Sequence, residues 1–365
     1  MIAPSSTLFR YIGRQFMINL AMVMVILLAL VWLIDVIELL RRTANLPQAT
    51  LSLVMSMSLM KLPYLGERML PLAILFSSVY TCWKLNKTSE LVVIRTAGLS
   101  AWQFLSPLLI SAFLVGVVST ALINPISSTF MSKYDQAERV RLRNDANLAT
   151  VSKTGVWLRQ PSDAGYALIH GATFDKKEWQ LNNVTVLFFD NEDNFIRRVD
   201  SPMAYLREGH WEISSPLTSH RSGRMEKNES ANITTELTAQ KIEESFADPD
   251  TIPFWRIPEY ISVMEMTGFP ATRLYMYFHT LLAQPFLFAA MVLLAASFSL
   301  RPPRRGGVAA TVVMGIGIGF FFYFLQSFLQ AFGLSGKIPV VMAAWSPAAV
   351  GLLLGGTALL HMEDG

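Results

Sequence analysis

Residues Phe16–Ile34, FMINLAMVMVILLALVWLI, contain no charged side chain. An apolar run of about 18 residues or more can cross the hydrocarbon core of a bilayer as a helix, and in lipid only helices and closed barrels satisfy their own backbone polar groups. This run places the chain in a membrane and restricts what its neighbours can be. Arg10 and Arg14 stand before it, as basic residues do at the start of a signal peptide. The run is too long for a signal peptide and no A-x-A-like cleavage site follows, so it reads as a retained first span.

Apolar blocks recur. One runs from about Leu53 to Trp83, interrupted in its first half by Lys61, Glu67 and Arg68, and a third covers Phe104–Ile123. The signal then vanishes for a long polar stretch and returns at Tyr275–Leu300, Val308–Phe332 and Val340–Leu360. Six spans are therefore expected, three on each side of a large insertion. The composition agrees: 16% of residues are charged, where a soluble domain carries about 25%. The domains are expected at 1–130, 131–252 and 253–365, with a membrane α-helical class and an inserted all-β domain.

Short loops rich in Lys and Arg face the cytoplasm. Arg10 and Arg14 precede the first span, Lys84, Lys87 and Arg95 separate the second from the third, and Arg301, Arg304 and Arg305 separate the fourth from the fifth. All fall on one side if both termini are cytoplasmic, and the insertion is then extracytoplasmic. Arg41 and Arg42, just after the first span, break the pattern.

The insertion reads as β-structure. Tyr166–Phe174, Asn183–Asp190, Phe195–Leu206 and Glu208–Ile213 are rich in β-branched and aromatic residues, with polar turn formers such as DNEDN between them. Such regular short strands favour a sandwich or jellyroll. Asn183, Asn228 and Asn232 begin N-x-S/T triplets, which matter only in a glycosylating compartment. PFWRIPEYISVMEMTGF then reads as a short amphipathic helix leading back to the membrane, with Trp255 and Tyr260 suited to its interface.

Signatures of chemistry are missing. There is no P-loop and no G-x-S-x-G elbow, and GIGIG at Gly315–Gly319 lies inside an apolar span rather than after a strand. Its glycines, like Gly351 and Gly355, are spaced for close helix packing instead. Cys82 is the only cysteine, so no disulfide or Cys/His metal site forms within the chain, and it reads as a small buried hydrophobe. The five histidines have no metal-ligand spacing, and His279 reads as a hydrogen-bonded membrane residue. A net charge of +3 is too weak to argue for nucleic acid. No catalytic residue, metal or bound cofactor is expected.

Three features carry information. Charges at membrane depth are costly unless they face a bundle interior or cavity, so Lys61, Glu67 and Arg68 form either a polar cavity wall or a set in which Lys61 snorkels and Glu67 or Arg68 pairs with Asp35 or Glu38. Arg41 and Arg42 offer two forked donors suited to phosphate, or simply anchor the span at the interface. Between the second and third spans, Ser89 is placed to N-cap a short helix, Glu90 sits in its first turn, and Gly98 is placed to end it. Leu91, Ile94 and Ala97 share one side, which suits either docking on another protein or lying on the membrane surface.

Several segments together resemble the LptF/LptG family, the permeases of the bacterial lipopolysaccharide exporter. They are RYIGRQF at the N-terminus, SELVVIRTAGLS at 89–100, ASFSLRPPRRGG with GIGIGFFFYFLQ, and IPVVMAAWSP before the last span. The last two lie on the LptG side of that family. The resemblance covers nearly the whole chain and implies an inner-membrane permease with a periplasmic β-jellyroll. It implies an LptF partner around a central lipid cavity, a dimer of the ATPase LptB that binds the ATP and magnesium, and transfer of lipopolysaccharide to LptC. It further implies a coupling helix through Ser89, Glu90, Leu91 and Val93, continued by Ile94, Arg95 and Gly98, with Glu90 as the ATPase contact. By the same resemblance Arg41 and Arg42 meet lipid A phosphates, while the family's further basic position falls at about Asp35. Leu168, Phe174, Val186 and Phe188 are the expected acyl-chain contacts in the jellyroll. Two rivals stay open: a non-transporting assembly protein anchored by its spans, and a secondary transporter of lipid or peptide.

Overall fold

A computed structural model of the chain describes residues 6–44, 50–96, 98, 100–139, 148–152, 155–162, 165–175, 178–221, 223–235, 248–300 and 307–364. They form two units, one of helices (Met1–Asp135, Pro253–Trp255 and Tyr275–Gly365) and one of strands (Gln136–Ile252 and Arg256–Leu274).

In the helical unit, α1 covers Ser6–Thr43, α2 Leu51–Lys87, α3 Glu90–Thr96 and α4 Ala101–Val118. A π-helical turn, Ser119–Ile123, joins α4 to α5, Asn124–Glu138. Five described helices are long and apolar enough to cross a membrane: Ser6–Thr43, Ala101–Glu138, Thr272–Ser299, Val313–Leu334 and Val340–His361. The sixth expected span, α2, has the length but not the composition. Lys61, Glu67 and Arg68 interrupt it, and its second half buries Ser77, Ser78 and Thr81.

That polar row costs little because each hydroxyl finds a local acceptor. Ser78 Oγ donates to Ile74 O at 2.7 Å and Thr81 Oγ1 to Ser77 O at 2.7 Å. Asn19 of α1 donates its amide to Thr81 Oγ1 at 2.8 Å and ties the two helices together. Around the tie, Ile12, Phe16 and Leu20 of α1 pack with Leu70, Ile74 and Leu75 of α2 and Phe104, Leu105 and Leu108 of α4. Cys82 is buried in the same core. A short helix of the strand unit, α6 (Ile257–Met266), precedes the C-terminal helices α7 (Thr272–Ser299), α8 (Gly307–Leu334) and α9 (Val340–Asp364). Gly355 explains the fit of α9 on α7, since a Cβ there would lie 2.6 Å from Leu293 Cβ. Arg301, Arg304 and Arg305 lie outside the described residues.

Among the described residues the strand unit is a nine-stranded antiparallel sheet. Neighbours follow chain order from β1 (Leu148–Ser152) through β2 (Gly155–Ser162), β3 (Gly165–Asp175), β4 (Gln180–Asp190), β5 (Phe195–Arg207) and β6 (His210–Ser214), ending at β9 (Ser230–Thr234). β7 (Leu217–His220) pairs with β5, and β8 (Met225–Lys227) pairs with β7. The β4–β5 turn is the DNEDN segment: Asp190 Oδ1 accepts from the N–H groups of Glu192 and Asn194, both at 2.8 Å. These bonds, Asn194's first, hold the Asp190 carboxyl below its ordinary range.

Helix α6 groups with the strands, not with the returning helices as the expected 253–365 boundary has it. The reason is local. Phe174 N–H donates to Thr267 O at 2.8 Å, and its ring stacks on Phe269 with centroids 4.4 Å apart.

Gln160 of β2, only 1% exposed, supplies the other closure of the sheet. Its amide donates to Thr234 O at 3.1 Å, and Thr235 Oγ1 donates to its Oε1 at 2.6 Å. One side chain thus bridges β2 to the end of β9. Gln160→Leu leaves a buried hydroxyl and carbonyl without this partner, so the strand unit should lose about 1–3 kcal/mol. Thermal melts of the purified chain, followed by its β-sheet circular dichroism, should show the loss as an earlier transition.

Candidate functional site

The short helix α3 is held by one face and offers the other. Leu91 and Ile94 are 5% and 8% exposed and belong to the core that contains Leu85 and Phe104. Val92 and Val93 are 56% and 66% exposed. A seven-residue helix is too short to be stable by itself, so the buried pair is what keeps it in place. Leu91 and Ile94 therefore position α3 and are not themselves on its outward face.

The ends of α3 differ in part from expectation. Ser89 has φ +60°, outside the extended region in which a capping side chain sits, although its carbonyl accepts from Val92 N–H at 3.1 Å. Thr88 reaches the first turn instead, its hydroxyl donating to Glu90 Oε1 at 2.9 Å. The Glu90 carboxylate also lies near the hydroxyl of Tyr11 on α1. Gly98 has φ +79°, the left-handed conformation expected of it. Ser100 then starts α4 with a capping box, exchanging bonds with Gln103. The side chains of Arg95 and Ala97 lie outside the described residues.

The membrane charges meet one another, in a different pairing from the one expected. Lys61 Nζ lies 2.6 Å from Asp35 Oδ1, and Ser58 Oγ donates to Asp35 Oδ2 at 2.8 Å. Asp35 is 8% exposed, and the Lys61 ammonium also lies 5.4 Å from the Tyr134 ring centroid. Glu38 is taken by Arg41 and Arg42, whose Nε atoms lie 3.0 and 2.8 Å from its oxygens. Glu67 accepts from Asn124 Nδ2 at 3.0 Å, and the Arg68 guanidinium lies 4.8 Å from the Tyr64 ring centroid. The expected pairing of Glu67 or Arg68 with Asp35 or Glu38 is thus replaced. Lys61 takes Asp35 because both fall on the facing stripes of α1 and α2.

Ion pairs in contact with water contribute little to stability, because solvent screens them and two long side chains must be held still. The Arg41 and Arg42 contacts to Glu38 are of that kind, so a phosphate can compete for both guanidinium groups. The Lys61–Asp35 pair is more enclosed, and removing one member strands the other. His279 departs from expectation too, since its buried Nδ1 has no hydrogen-bond partner among the described residues.

In the strand unit Phe174, Val186 and Phe188 are buried. Leu168 is on the other face, half-exposed, while its neighbours Ala167 and Ile169 point inward opposite Phe188 and Val186. Phe174 keeps the parity of Leu168 yet is buried. The buried side of β3 and β4 changes between Gly171 and Phe174, near Asn183 with φ +49°. Among the described residues no three His, Cys, Asp or Glu side chains are grouped to hold a metal ion.

Apolar helices with paired internal charges, a short anchored helix and an inserted antiparallel sheet define a helical membrane protein with an inserted β domain. The chain belongs to the family described as lipopolysaccharide export system permease LptF/LptG, which its residues 10–361 match. It is similar to the lipopolysaccharide export system permease protein LptG of Haemophilus influenzae, 23% identical over 356 residues that cover 96% of this chain and 97% of that protein. The protein of the same description from Escherichia coli K12 is 24% identical over 356 residues, 95% and 96% of the two chains.

Sequence reasoning passed over Asn124, Thr120, Tyr277 and Gln160. An Asn-Pro pair at 124–125 and a Gln-Pro pair at 284–285 were the available signals, since proline in a membrane helix frees a carbonyl that a polar neighbour must meet.

The ion pair yields a test. Lys61→Met should destabilise the chain by about 3–5 kcal/mol by leaving Asp35 uncompensated, whereas Lys61→Met with Asp35→Leu should come close to the wild type. Thermal unfolding in detergent of the two single variants and the double variant measures the coupling.

Proposed function

We propose that this chain is the LptG-type half of an ATP-driven lipopolysaccharide exporter in the bacterial inner membrane. It pairs with LptF around a lipid cavity and is worked by an LptB dimer that binds and hydrolyses the ATP. Lipid enters laterally between spans, and closure of the ATPases compresses the cavity and moves lipid toward the β domain and LptC. Both termini face the cytoplasm in this reading, and the β domain faces the periplasm.

The observation that carries the proposal is the two-faced α3. A rigid, internally anchored helix with Val92 and Val93 exposed is suited to a groove on a partner, because its docking face costs the chain no packing. Glu90 beside that face is held by the Thr88 hydroxyl, so its carboxylate presents a positioned charge to the partner. A helix merely resting on lipid would not need that orientation. The ATP and magnesium belong to the partner in this proposal. Arg41 and Arg42 serve as donors to lipid A phosphate, Val186, Phe188 and Ile169 line the side of the sheet that meets acyl chains, and Phe174 is buried beyond the change of side, stacked on Phe269.

Val93→Asp is the sharper test of docking, since Val93 is 66% exposed and its substitution leaves the core alone. It should reduce co-purification of the ATPase by about tenfold, the loss of roughly one well-packed contact. Glu90→Lys should uncouple ATP hydrolysis from lipid release in the purified complex. Normal assembly and release in both variants would remove α3 as the coupling element. Reversing Arg41 and Arg42 to Glu should weaken photocrosslinking to lipopolysaccharide, and wild-type crosslinking would leave them as interfacial anchors.

A further inference from the structure

Two prolines interrupt the backbone bonding of the helical unit, and beside each a side chain from elsewhere donates to a carbonyl. In an α-helix the N–H of residue i donates to the carbonyl of residue i−4, and proline has no N–H. Pro125 has no N–H to offer the turn before it, and in that turn Trp255 Nε1 donates to Ala121 O at 3.0 Å. Pro285 leaves Leu281 O without its N–H donor, and Thr120 Oγ1 donates there at 3.0 Å, with Gln284 Oε1 at 3.2 Å as a second acceptor. One turn before Thr120, Gly116 lets α7 come close: a Cβ on it would lie 2.5 Å from Pro285 Cα.

Asn124 sits where these repairs converge, 1% exposed. Its Nδ2 donates to Glu67 Oε1 at 3.0 Å and to the Tyr277 hydroxyl at 2.9 Å. Its Oδ1 accepts from Phe254 N–H at 3.0 Å. One amide thus joins α2, α5, α7 and the segment Pro253–Trp255. The backbone at this point is π-helical, with Asn124 N–H bonded to Ser119 O, one residue further back than in an α-helix. Without that extra residue every later side chain would be turned by about 100° relative to those before it. Gly116 could then not face Pro285 while Asn124 faces Glu67 and Tyr277.

We propose that Asn124 is a positioning residue: it holds the π turn in register on α2 and α7 and fixes Pro253–Trp255, and lipid release depends on that register. The dependence on release rests on the exporter reading above, but the node itself does not. Asn124 is neither at α3 nor at the basic pair, and its role requires no contact with lipid. It acts by keeping three helices and one returning segment in a single arrangement, which is what a bundle that opens and closes around a cargo must preserve or exchange as a unit.

The full chain in its purified complex supplies the test. In Asn124→Leu the Phe254 amide loses its acceptor and should exchange hydrogen about tenfold faster by mass spectrometry or NMR. Lipopolysaccharide release should fall by a similar factor while the ATPase activity of the complex persists. Asn124→Asp sets a second carboxylate against Glu67 and should lower release likewise, although its oxygen can still accept from Phe254 N–H. Combining Asn124→Asp with Glu67→Gln exchanges donor and acceptor, so that the amide introduced on α2 donates to the carboxylate introduced on α5. Release should then return to within about threefold of wild type.

Unchanged Phe254 exchange in Asn124→Leu would dissolve the node. Faster exchange with wild-type release would overturn the positioning role while leaving the contact. A paired variant that assembles but does not recover release would also overturn it. If the wild-type complex releases no lipopolysaccharide, the exporter reading fails and the exchange measurement alone decides on the node.

Discussion

Hydrocarbon offers a buried polar group no partner, so an unmet one in a membrane-spanning bundle is costly and a partner from within the chain is stabilising. Much of the helical unit follows from that constraint. Asn19 meets Thr81, Ser58 and Lys61 meet Asp35, and Asn124 meets Glu67 and Tyr277. The prolines extend the requirement to the backbone, where Thr120 stands in for a missing N–H group and Trp255 donates in the turn before Pro125. These contacts are directional, unlike the apolar packing around them, and so they set which helix faces which.

The same constraint limits how charge within a span can be interpreted. Lys61, Glu67 and Arg68 are too costly to face lipid unaided, yet each has an internal contact that accounts for it. Arg41 and Arg42 differ because their carboxylate contact is exposed and weak. Breaking the Glu38 contacts therefore costs little, whereas parting Lys61 from Asp35 strands a charge.

In α3 the division of labour lies within seven residues. Leu91 and Ile94 hold the helix to the bundle, and Val92 and Val93 face away from it. Helical geometry makes the division possible, since neighbours along a helix point in different directions and residues three apart share a face. Ile12 and Phe16 of the first helix share that core with Leu91 and Ile94.

The apolar runs, the strand segments and the glycine that ends α3 were legible in the sequence because they rest on local propensity and periodicity. β3, β4, β5 and β6 begin and end within about three residues of the segments chosen for their β-branched and aromatic content. The face of a strand was not legible where both faces are apolar: Leu168 alternates with Ala167 and Ile169, and burial goes to the latter pair. Nor does alternation foresee a sheet that changes its buried side along its length, as between Gly171 and Phe174. The partner of each charge, the π turn and the role of Asn124 were likewise decided only by tertiary structure. They join residues such as Glu67, Asn124, Phe254 and Tyr277 that lie far apart in the chain. Local sequence sets which segments form helices and strands, because those bonds close within a few residues or between adjacent strands. The pairing of distant polar groups depends on helix rotation and register, which only the assembled bundle fixes.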